Sequence, residues 1–242
     1  MKSVALKSFF YFISIVASFQ IDGYRDHLAE LDELDKAVIT LGEEIYSNID
    51  YAKEHLQQVK NLRYMNEFVV ANFYTFTIKE LENIHDNNPF LHVYDLNNQI
   101  NYIKKYSPST TEQLLGGWLA FEPDNIFFQS MLNSGDLLSI KNPALAKEIQ
   151  SLYTKQSERV KGMALFTGEV GNNVLDWFVS EQNKYNTDIS FNEVLIKNRN
   201  QKLKNVLVFK LAVLNDRITD IENYIHSLQN CVKIISEEYK AS

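Results

Sequence analysis

The residues best suited to chemistry in this sequence are five histidines, one cysteine and the carboxylates near them. Glu82 and His85 have the Glu-x-x-His spacing that places both side chains on one helix face in di-iron bundles. Such a site needs a second pair of this kind and two more glutamates, and Glu222 with His226 has the wrong spacing. We therefore expect no metal site and no other cofactor.

Cys231 is the only cysteine. It cannot form an internal disulfide or complete a cysteine-based metal site within one chain. A disulfide between two chains through Cys231 is one interpretation, and a buried, unreactive thiol is the one we favour. The sequence contains no glycine-rich phosphate loop and no Gly-x-Ser-x-Gly motif. We predict that the protein is not an enzyme, although catalytic groups far apart in sequence could still meet in the fold.

The formal net charge is -7, which opposes binding to nucleic acid because phosphate contacts need clustered lysine and arginine. The only basic cluster, without an acid between Val194 and Ala212, contains Lys197, Arg199, Lys202, Lys204 and Lys210. It could dock an acidic partner, but a solvated helix face that balances nearby acids is the interpretation we favour.

The elements that would position these residues are helices, because the 242 residues include only 8 Gly and 4 Pro. Residues 31–62 have apolar side chains at steps of three and four, typical of an amphipathic helix. A stricter heptad pattern near the C-terminus predicts a helix-packing seam: Leu211, Leu214, Ile218, Ile221, Ile225, Leu228, Val232 and Ile235. We predict an all-α fold in which these two helices pair antiparallel in an elongated bundle with coiled-coil-like packing.

Local signals mark the ends of shorter helices. Asn142 and Pro143 predict a helix start, Gly135 a helix stop, and Ser109 with Glu112 a capping box. Gly162, Gly168 and Gly171 interrupt the helix that follows Pro143. They indicate either a hinge or, as we favour, close packing of a neighbouring helix. No strand pattern is long enough to predict a sheet.

Residues about 86–123 form the least regular region and are rich in aromatic side chains at one end. These rings could line a ligand pocket, but aromatic core packing explains them more simply. A site near residues 82–121, around Glu82, His85, His92 and Trp118, is therefore our alternative to a protein without a site.

The N-terminal residues 1–21 predict a membrane anchor. Lys2 and Lys7 precede an uncharged apolar run that ends at residue 21, and Asp22, Asp26 and Glu30 follow it. A span needs roughly 20 apolar residues, so residues 4–21 would be a short one in which Lys7 reaches the interface. The charge asymmetry predicts a single-pass inner-membrane protein with a cytoplasmic N-terminus and a periplasmic domain over residues 22–242.

A secretory signal peptide has the same order of charge and apolar run, and cleavage after Ser18 would remove the anchor. An ordinary buried helix is a third interpretation. Both the anchor and the signal peptide would export the remaining chain.

The sequence resembles a family of uncharacterised single-pass membrane proteins of Bacteroidota. The resemblance lies in the long C-terminal helix, in the central segment Ser-Gly-Asp-Leu-Leu-Ser-Ile-Lys-Asn at residues 134–142, and in a membrane junction that includes Gln20, Ile21, Asp22 and Tyr24. The junction departs from the family pattern at Gly23 and Tyr24, and residues about 86–122 have no counterpart. The resemblance implies a membrane anchor and implies no activity.

We expect the protein to contact the lipid bilayer through residues 4–21 and to act on a protein partner or as a homo-oligomer. It would serve as a sensor-like input or as a subunit of an envelope assembly. The alternatives are an exported helical enzyme or small-ligand binder and a cytosolic coiled-coil adaptor.

Overall fold

The computed structural model describes residues 2–94 and 100–239, without the side chains of residues 2–19, 21–23 and 94. These residues form an all-α fold with one small hairpin. The elements are α1 (Lys2–Ala71), α2 (Ile78–Asn87), β1 (His92–Tyr94), β2 (Ile100–Tyr102), α3 (Pro108–Leu115), α4 (Ile126–Ser134), α5 (Asp136–Ser139), α6 (Pro143–Ser151), a π-helical turn (Leu152–Gln156), α7 (Ser157–Gln182), α8 (Phe191–Lys197) and α9 (Gln201–Glu238).

Helices α1 and α9 are the two longest elements and lie side by side. Arg63 Nε donates to Asn215 Oδ1 at 3.0 Å, and the Tyr74 hydroxyl donates to Gln201 Oε1 at 3.0 Å. Nearer the other end, the face of α1 at Gly42 contacts Ile235. Residue numbers rise along α1 as they fall along α9, so the two helices run antiparallel.

Helix α7 packs along α9 and extends the hydrophobic core. Gly168 lies against the Trp118 indole, and a Cβ atom at Gly171 would lie 2.0 Å from the Gly116 carbonyl oxygen. The helix continues from Ser157 to Gln182 through both positions. These two glycines therefore allow close packing of the segment that follows α3, as we predicted. The same prediction is wrong for Gly162, where nothing lies within 4 Å of an added Cβ atom.

Several predicted helix boundaries are confirmed. The Asn142 side chain accepts from the backbone N–H groups of Ala144 and Leu145, and Gly135 ends α4 with a left-handed φ of 87°. The capping box predicted at Ser109 is wrong by two residues. Ser107 caps α3, and the Thr110 side chain completes the box, because Pro108 suits the first helical position.

The hairpin of β1 and β2 was not predicted. Its strands pair antiparallel, with His92 opposite Tyr102, Val93 opposite Asn101 and Tyr94 opposite Ile100. Each strand has three residues, which is too short for an alternating pattern to be recognised in the sequence.

The predicted membrane segment, residues 4–21, lies in the part of α1 where only the Gln20 side chain is described. Among the described residues, no helix has an apolar stretch long enough to cross a membrane. At the predicted junction, Gln20 and Tyr24 are exposed, whereas the side chains of Ile21 and Asp22 lie outside the described residues.

The predicted seam of α9 is buried at only some of its positions. The buried members are Leu214, Ile221, Ile225, Leu228 and Ile235. Leu211, Ile218 and Val232 are half-buried, and the residue immediately before each of them is buried instead. Those buried residues are Lys210, Arg217 and Cys231. Two cations thus occupy core-facing heptad positions of α9.

Candidate ligand-binding site

A cavity of about 330 Å³ lies between α1, β1 and the segment that follows α3. Its lining residues are Tyr51, Glu54, His55, Gln58, His92, Leu119, Ala120 and Glu122. The first four belong to α1 at spacings of three and four, which places them on one helix face. Helix α1 therefore supplies one whole wall, and the irregular segment supplies the opposite one.

The wall formed by α1 contains buried polar side chains. His55 is 4% exposed and Gln58 is 3% exposed. The Gln58 amide Nε2 lies 2.7 Å from His92 Nδ1, and the His55 ring lies 5.1 Å from the Phe121 ring, centroid to centroid. These contacts hold the polar atoms of the wall in defined positions.

His55 is neutral at neutral pH. Burial, together with the positive charge of Arg217 and the proximity of His92, lowers the pKa of His55 to about 3. Arg217 Nη2 lies 2.8 Å from His55 Nε2. Because a guanidinium can only donate, Nε2 accepts this hydrogen bond and the His55 ring carries its proton on Nδ1.

Lys210 is fully buried and binds the C-terminal end of α3. Its Nζ donates to the carbonyl oxygens of Leu114 at 3.2 Å, Leu115 at 2.7 Å and Gly117 at 2.9 Å. Helix C-termini leave carbonyl groups without a partner, and a cation stabilises them. Burial and the nearby Arg217 lower the pKa of Lys210 to about 7.

The prediction that the basic cluster forms one solvated face is therefore wrong for Lys210. Lys197 and Lys202 are exposed, whereas Arg199 and Lys204 are half-buried. The Arg199 guanidinium lies 3.9 Å from the centroid of the Phe76 ring, and Lys204 Nζ lies 5.3 Å from that of Tyr74. Lys197 Nζ lies 5.8 Å from the centroid of the Tyr185 ring, so four of the five cations have packing or hydrogen-bonding roles.

Arg217 lies one heptad after Lys210 and holds the next part of the same segment. Its Nη2 donates to the Leu119 carbonyl oxygen as well as to His55. Burial lowers the pKa of Arg217 to about 10, so the guanidinium stays charged at neutral pH. Lys210 and Arg217 together bind the carbonyl groups of residues 114–119 from the side of α9.

Polar groups of α1 bind the following residues of the segment. The Asn48 side chain donates to the Asp124 carbonyl and accepts from its N–H, at 2.8 and 2.9 Å. The Tyr51 hydroxyl accepts from the Glu122 N–H at 2.7 Å. The Glu44 carboxylate accepts from the Phe127 N–H at 2.7 Å, where α4 begins without a cap of its own.

The segment from α3 to α4 is therefore fixed from both long helices. Cations of α9 bind its earlier carbonyl groups, and polar side chains of α1 bind its later N–H groups. Leu119, Ala120 and Glu122 lie between the two sets of contacts and form the cavity wall. The wall is thus positioned by hydrogen bonds at both of its ends.

The cavity carries negative charge. Glu54 and Glu122 are the acidic lining residues, and Glu54 Oε1 accepts from the Tyr102 hydroxyl. Burial and the Glu54 carboxylate raise the pKa of Tyr102, so this hydroxyl keeps its proton. An adjoining open groove shares Tyr51, Glu54 and Glu122 and adds Asp50 and Asp124.

The site predicted near residues 82–121 contributes Leu119 and Ala120 to this cavity, but of the four residues around which it was predicted only His92 lines it. His85 is fully buried elsewhere, with its ring 5.7 Å from Phe90 and 5.4 Å from Tyr106. Trp118 packs against Gly168 of α7. Burial lowers the pKa of His85, so its ring is neutral at neutral pH, where it packs against Phe90 and Tyr106 outside the cavity.

The sequence analysis did not identify His55 or the other polar residues of α1 as part of a site. A signal was present, because Glu44, Asn48, Tyr51, His55 and Gln58 each precede by one residue an apolar member of the predicted stripe. A polar stripe directly beside an apolar one also occurs where the polar residues face solvent. The pattern alone therefore did not distinguish a solvated helix face from the wall of a binding site.

Within residues 2–94 and 100–239, no group of three His, Cys, Asp or Glu side chains is placed to hold a metal ion. Cys231 is buried, and burial raises the pKa of its thiol to about 12. The thiol is therefore protonated at neutral pH, as expected of an unreactive core cysteine.

Comparison with known proteins identifies no relative for this chain. No family model, no curated protein and no solved structure matches it. The resemblance to the Bacteroidota membrane family therefore stays a prediction, and any function must be inferred from the cavity and from the helix that carries it.

Proposed function

We propose that this protein is a membrane-anchored helical binding protein. It would be a sensor-like input that acts by protein contact and holds a small ligand in the cavity beside α1. The observation that carries the proposal is the continuity of α1, which runs unbroken from Lys2 to Ala71. One helix thus includes the predicted anchor and one wall of the cavity. At 1.5 Å per residue, Tyr51 lies about 45 Å along the helix from residue 21.

Charge supports the anchor and its orientation. Lys2 and Lys7 lie before the apolar run, and Asp22, Asp26 and Glu30 lie after it. This asymmetry favours a cytoplasmic N-terminus and a periplasmic bundle. The periplasmic part would be an elongated antiparallel bundle with coiled-coil-like packing between α1 and α9.

Exposed apolar side chains support a role in protein contact. Tyr24 is 64% exposed and Leu28 is 46% exposed, and their spacing of four places them on one face of α1. This face lies between the predicted membrane segment and the packed bundle. It is suited to a second copy of the chain or to another membrane-anchored protein.

An enzyme with its site in the same region is the weaker alternative. A general base must be able to take a proton near neutral pH, but His55 has a lowered pKa and its Nε2 already accepts from Arg217. The buried Cys231 thiol is a poor nucleophile, because burial raises its pKa and keeps it protonated. These features favour binding over catalysis.

Membrane fractionation tests the anchor. We expect the full chain to stay in the membrane pellet after alkaline carbonate extraction and to need detergent for release. A variant that lacks residues 4–21 should appear in the soluble fraction. The circular dichroism signal of its bundle, expressed per residue, should be unchanged.

The same preparation distinguishes anchor from signal peptide. The mass of the mature protein should include residues 1–18, and added protease should reach the bundle only after the outer membrane is opened. Recovery of the full-length chain in the soluble cytosolic fraction would overturn the anchor, and a mature protein that begins at Phe19 would identify a cleaved signal.

A further inference from the structure

We infer that the cavity binds a small organic cation, a primary amine or diamine, between the carboxylates of Glu54 and Glu122 and beside the Tyr51 ring. This inference rests on the proposed function, because it names the ligand class of the same cavity. The lining residues and their hydrogen bonds determine the charge, the donor pattern and the size of the ligand.

The charge of the lining favours a cation. Glu54 and Glu122 are carboxylates, and the lining includes no lysine or arginine. The adjoining groove adds Asp50 and Asp124, again without a lysine or arginine in its lining. A cation between these carboxylates is attracted more strongly than in bulk water, because the effective dielectric constant beside a protein surface is lower. An anionic ligand of similar size would meet this interaction as repulsion.

Arg217 lies behind Leu119 and His55 on the α9 side, and its single positive charge is opposed by the two carboxylates of the lining. The guanidinium is fully buried and does not line the cavity. It donates to the Leu119 carbonyl oxygen and to His55 Nε2. The neutral His55 ring thus presents an uncharged surface to the ligand, and Arg217 serves as a positioning residue for the wall.

The hydrogen-bonding state of the histidines favours an organic cation over a metal ion. His92 Nδ1 is bound to Gln58 Nε2, and His55 Nε2 is bound to Arg217. In the part of the chain that the structure describes, no three acidic or histidine side chains are close enough to coordinate a metal ion together. An ammonium group needs only acceptors for its N–H donors, which the two carboxylates supply.

The remaining lining suits the carbon atoms of such a ligand. Leu119 and Ala120 contribute apolar surface, and the Tyr51 ring can contact both a methylene chain and an ammonium group. A volume of about 330 Å³ lies at the small end of the range for ligand pockets. A short aliphatic amine therefore fits better than a nucleotide or a large ring system.

Two tyrosines hold the site ready for this ligand. The Tyr102 hydroxyl donates to the Glu54 carboxylate, and the Tyr51 hydroxyl accepts from the Glu122 N–H. Glu54 is therefore oriented from β2, and the backbone that carries Glu122 is fixed to α1. A pre-organised site loses less conformational entropy on binding.

Isothermal titration calorimetry of the detergent-purified full chain tests the inference. The probes are 1,4-diaminobutane, the dianion succinate and the neutral 1,4-butanediol, in buffer of low ionic strength. We expect 1,4-diaminobutane to bind and the other two to show no binding. Removing one charge-assisted hydrogen bond should weaken diamine binding about tenfold in Glu54→Gln and in Glu122→Gln.

Glu222→Gln is the matched control. Glu222 is exposed and pairs with Lys60 at 2.7 Å on the surface, outside the cavity. This substitution removes the same charge from the chain and should leave diamine affinity unchanged. Glu122 is exposed, so Glu122→Gln should fold even if Glu54→Gln does not, and thermal unfolding of each variant checks this.

The outcomes separate this inference from the proposed function. Binding of succinate or 1,4-butanediol that is lost in the two cavity variants would overturn the ligand class but keep the cavity as a ligand site. Diamine binding that is unchanged in both cavity variants, or lost equally in Glu222→Gln, would overturn the inference because the diamine would bind elsewhere. Absence of binding by all three probes would also overturn it, whereas the anchor is judged separately by membrane fractionation.

Discussion

The packing of α1 against α9 differs between its two halves. Toward the N-terminal end of α1, apolar side chains meet, with Val38 and Leu41 on α1 and Ile235 on α9. In the middle of the molecule the buried residues include His55 and Asn66 on α1, and also Lys210 and Arg217 on α9. The same pair of helices therefore has an apolar core near the N-terminal end of α1 and a more polar core in the middle of the molecule.

The difference arises from what enters the space between the helices. In the apolar half, side chains fill the space between the two helices. In the polar half, the backbone of residues 114–124 enters, and its carbonyl and N–H groups need partners because burial without a hydrogen bond is costly. Lys210, Arg217, Asn48 and Tyr51 provide those partners. The polar core thus marks where an irregular segment is built into a helix pair, and the cavity lies at that place.

The largest effect on stability is expected in the apolar half. Leu41 is fully buried, and Leu41→Ala should lower the free energy of unfolding by about 3 kcal/mol through lost apolar burial and the cavity left behind. Urea denaturation measures this loss, and calorimetry should show unchanged diamine affinity in the folded protein.

The exposed variant Glu222→Gln should change the free energy of unfolding by less than about 0.5 kcal/mol, since surface ion pairs contribute little. If Leu41→Ala weakened diamine binding as strongly as the cavity variants do, the two halves would not be separate in function.

A smaller loss of stability, combined with a loss of binding, is expected in the polar half. Arg217→Met would leave the Leu119 carbonyl oxygen and His55 Nε2 without their donor. We expect the free energy of unfolding to fall by about 2 kcal/mol. The two acceptors left without a donor destabilise the folded state, and removal of the buried charge partly offsets this loss.

The same variant should bind the diamine more weakly, because the wall at Leu119 would no longer be fixed. Urea denaturation and calorimetry on one preparation give both values. Unchanged binding in a folded Arg217→Met protein would show that the buried cations do not position the cavity.

The smallest effect is a dependence of stability on pH through His55. The pKa of His55 is lowered in the folded protein, so the unfolded chain takes up the proton first as the pH falls below about 6.5. Folded stability therefore decreases as the pH falls from about 6.5 toward 3. Between pH 7.5 and 5.5, His55 alone should remove roughly 1 kcal/mol.

His55→Gln removes this proton uptake and retains an oxygen that can accept from Arg217. The loss of stability between pH 7.5 and 5.5, measured by urea denaturation, should be smaller by that amount in His55→Gln than in the unsubstituted protein. Carboxylates titrate alike in both proteins and cancel in the difference. Equal pH dependence of the two proteins would contradict a neutral, buried His55.

The heptad seam shows how far sequence patterns reach in this protein. Leu214, Ile221, Leu228 and Ile235 follow the predicted seam and are buried. At alternate positions the apolar pattern selects Leu211 and Ile218, whereas the fold buries Lys210 and Arg217. From hydrophobicity alone, a lysine or arginine is expected at the surface. Lys210 and Arg217 are buried instead, because carbonyl groups of a segment distant in sequence accept their hydrogen bonds.

The sequence by itself determined the features that depend on neighbouring residues. These are the all-α class, the helix start at Asn142 and the helix stop at Gly135. Tertiary structure alone decided the cavity and its charge. His55 and Arg217 are 162 residues apart, and Asn48 and Asp124 are 76 apart. No local pattern encodes such contacts. The hydrogen-bonding partner of a buried backbone group depends on which distant residue lies beside it in the folded chain.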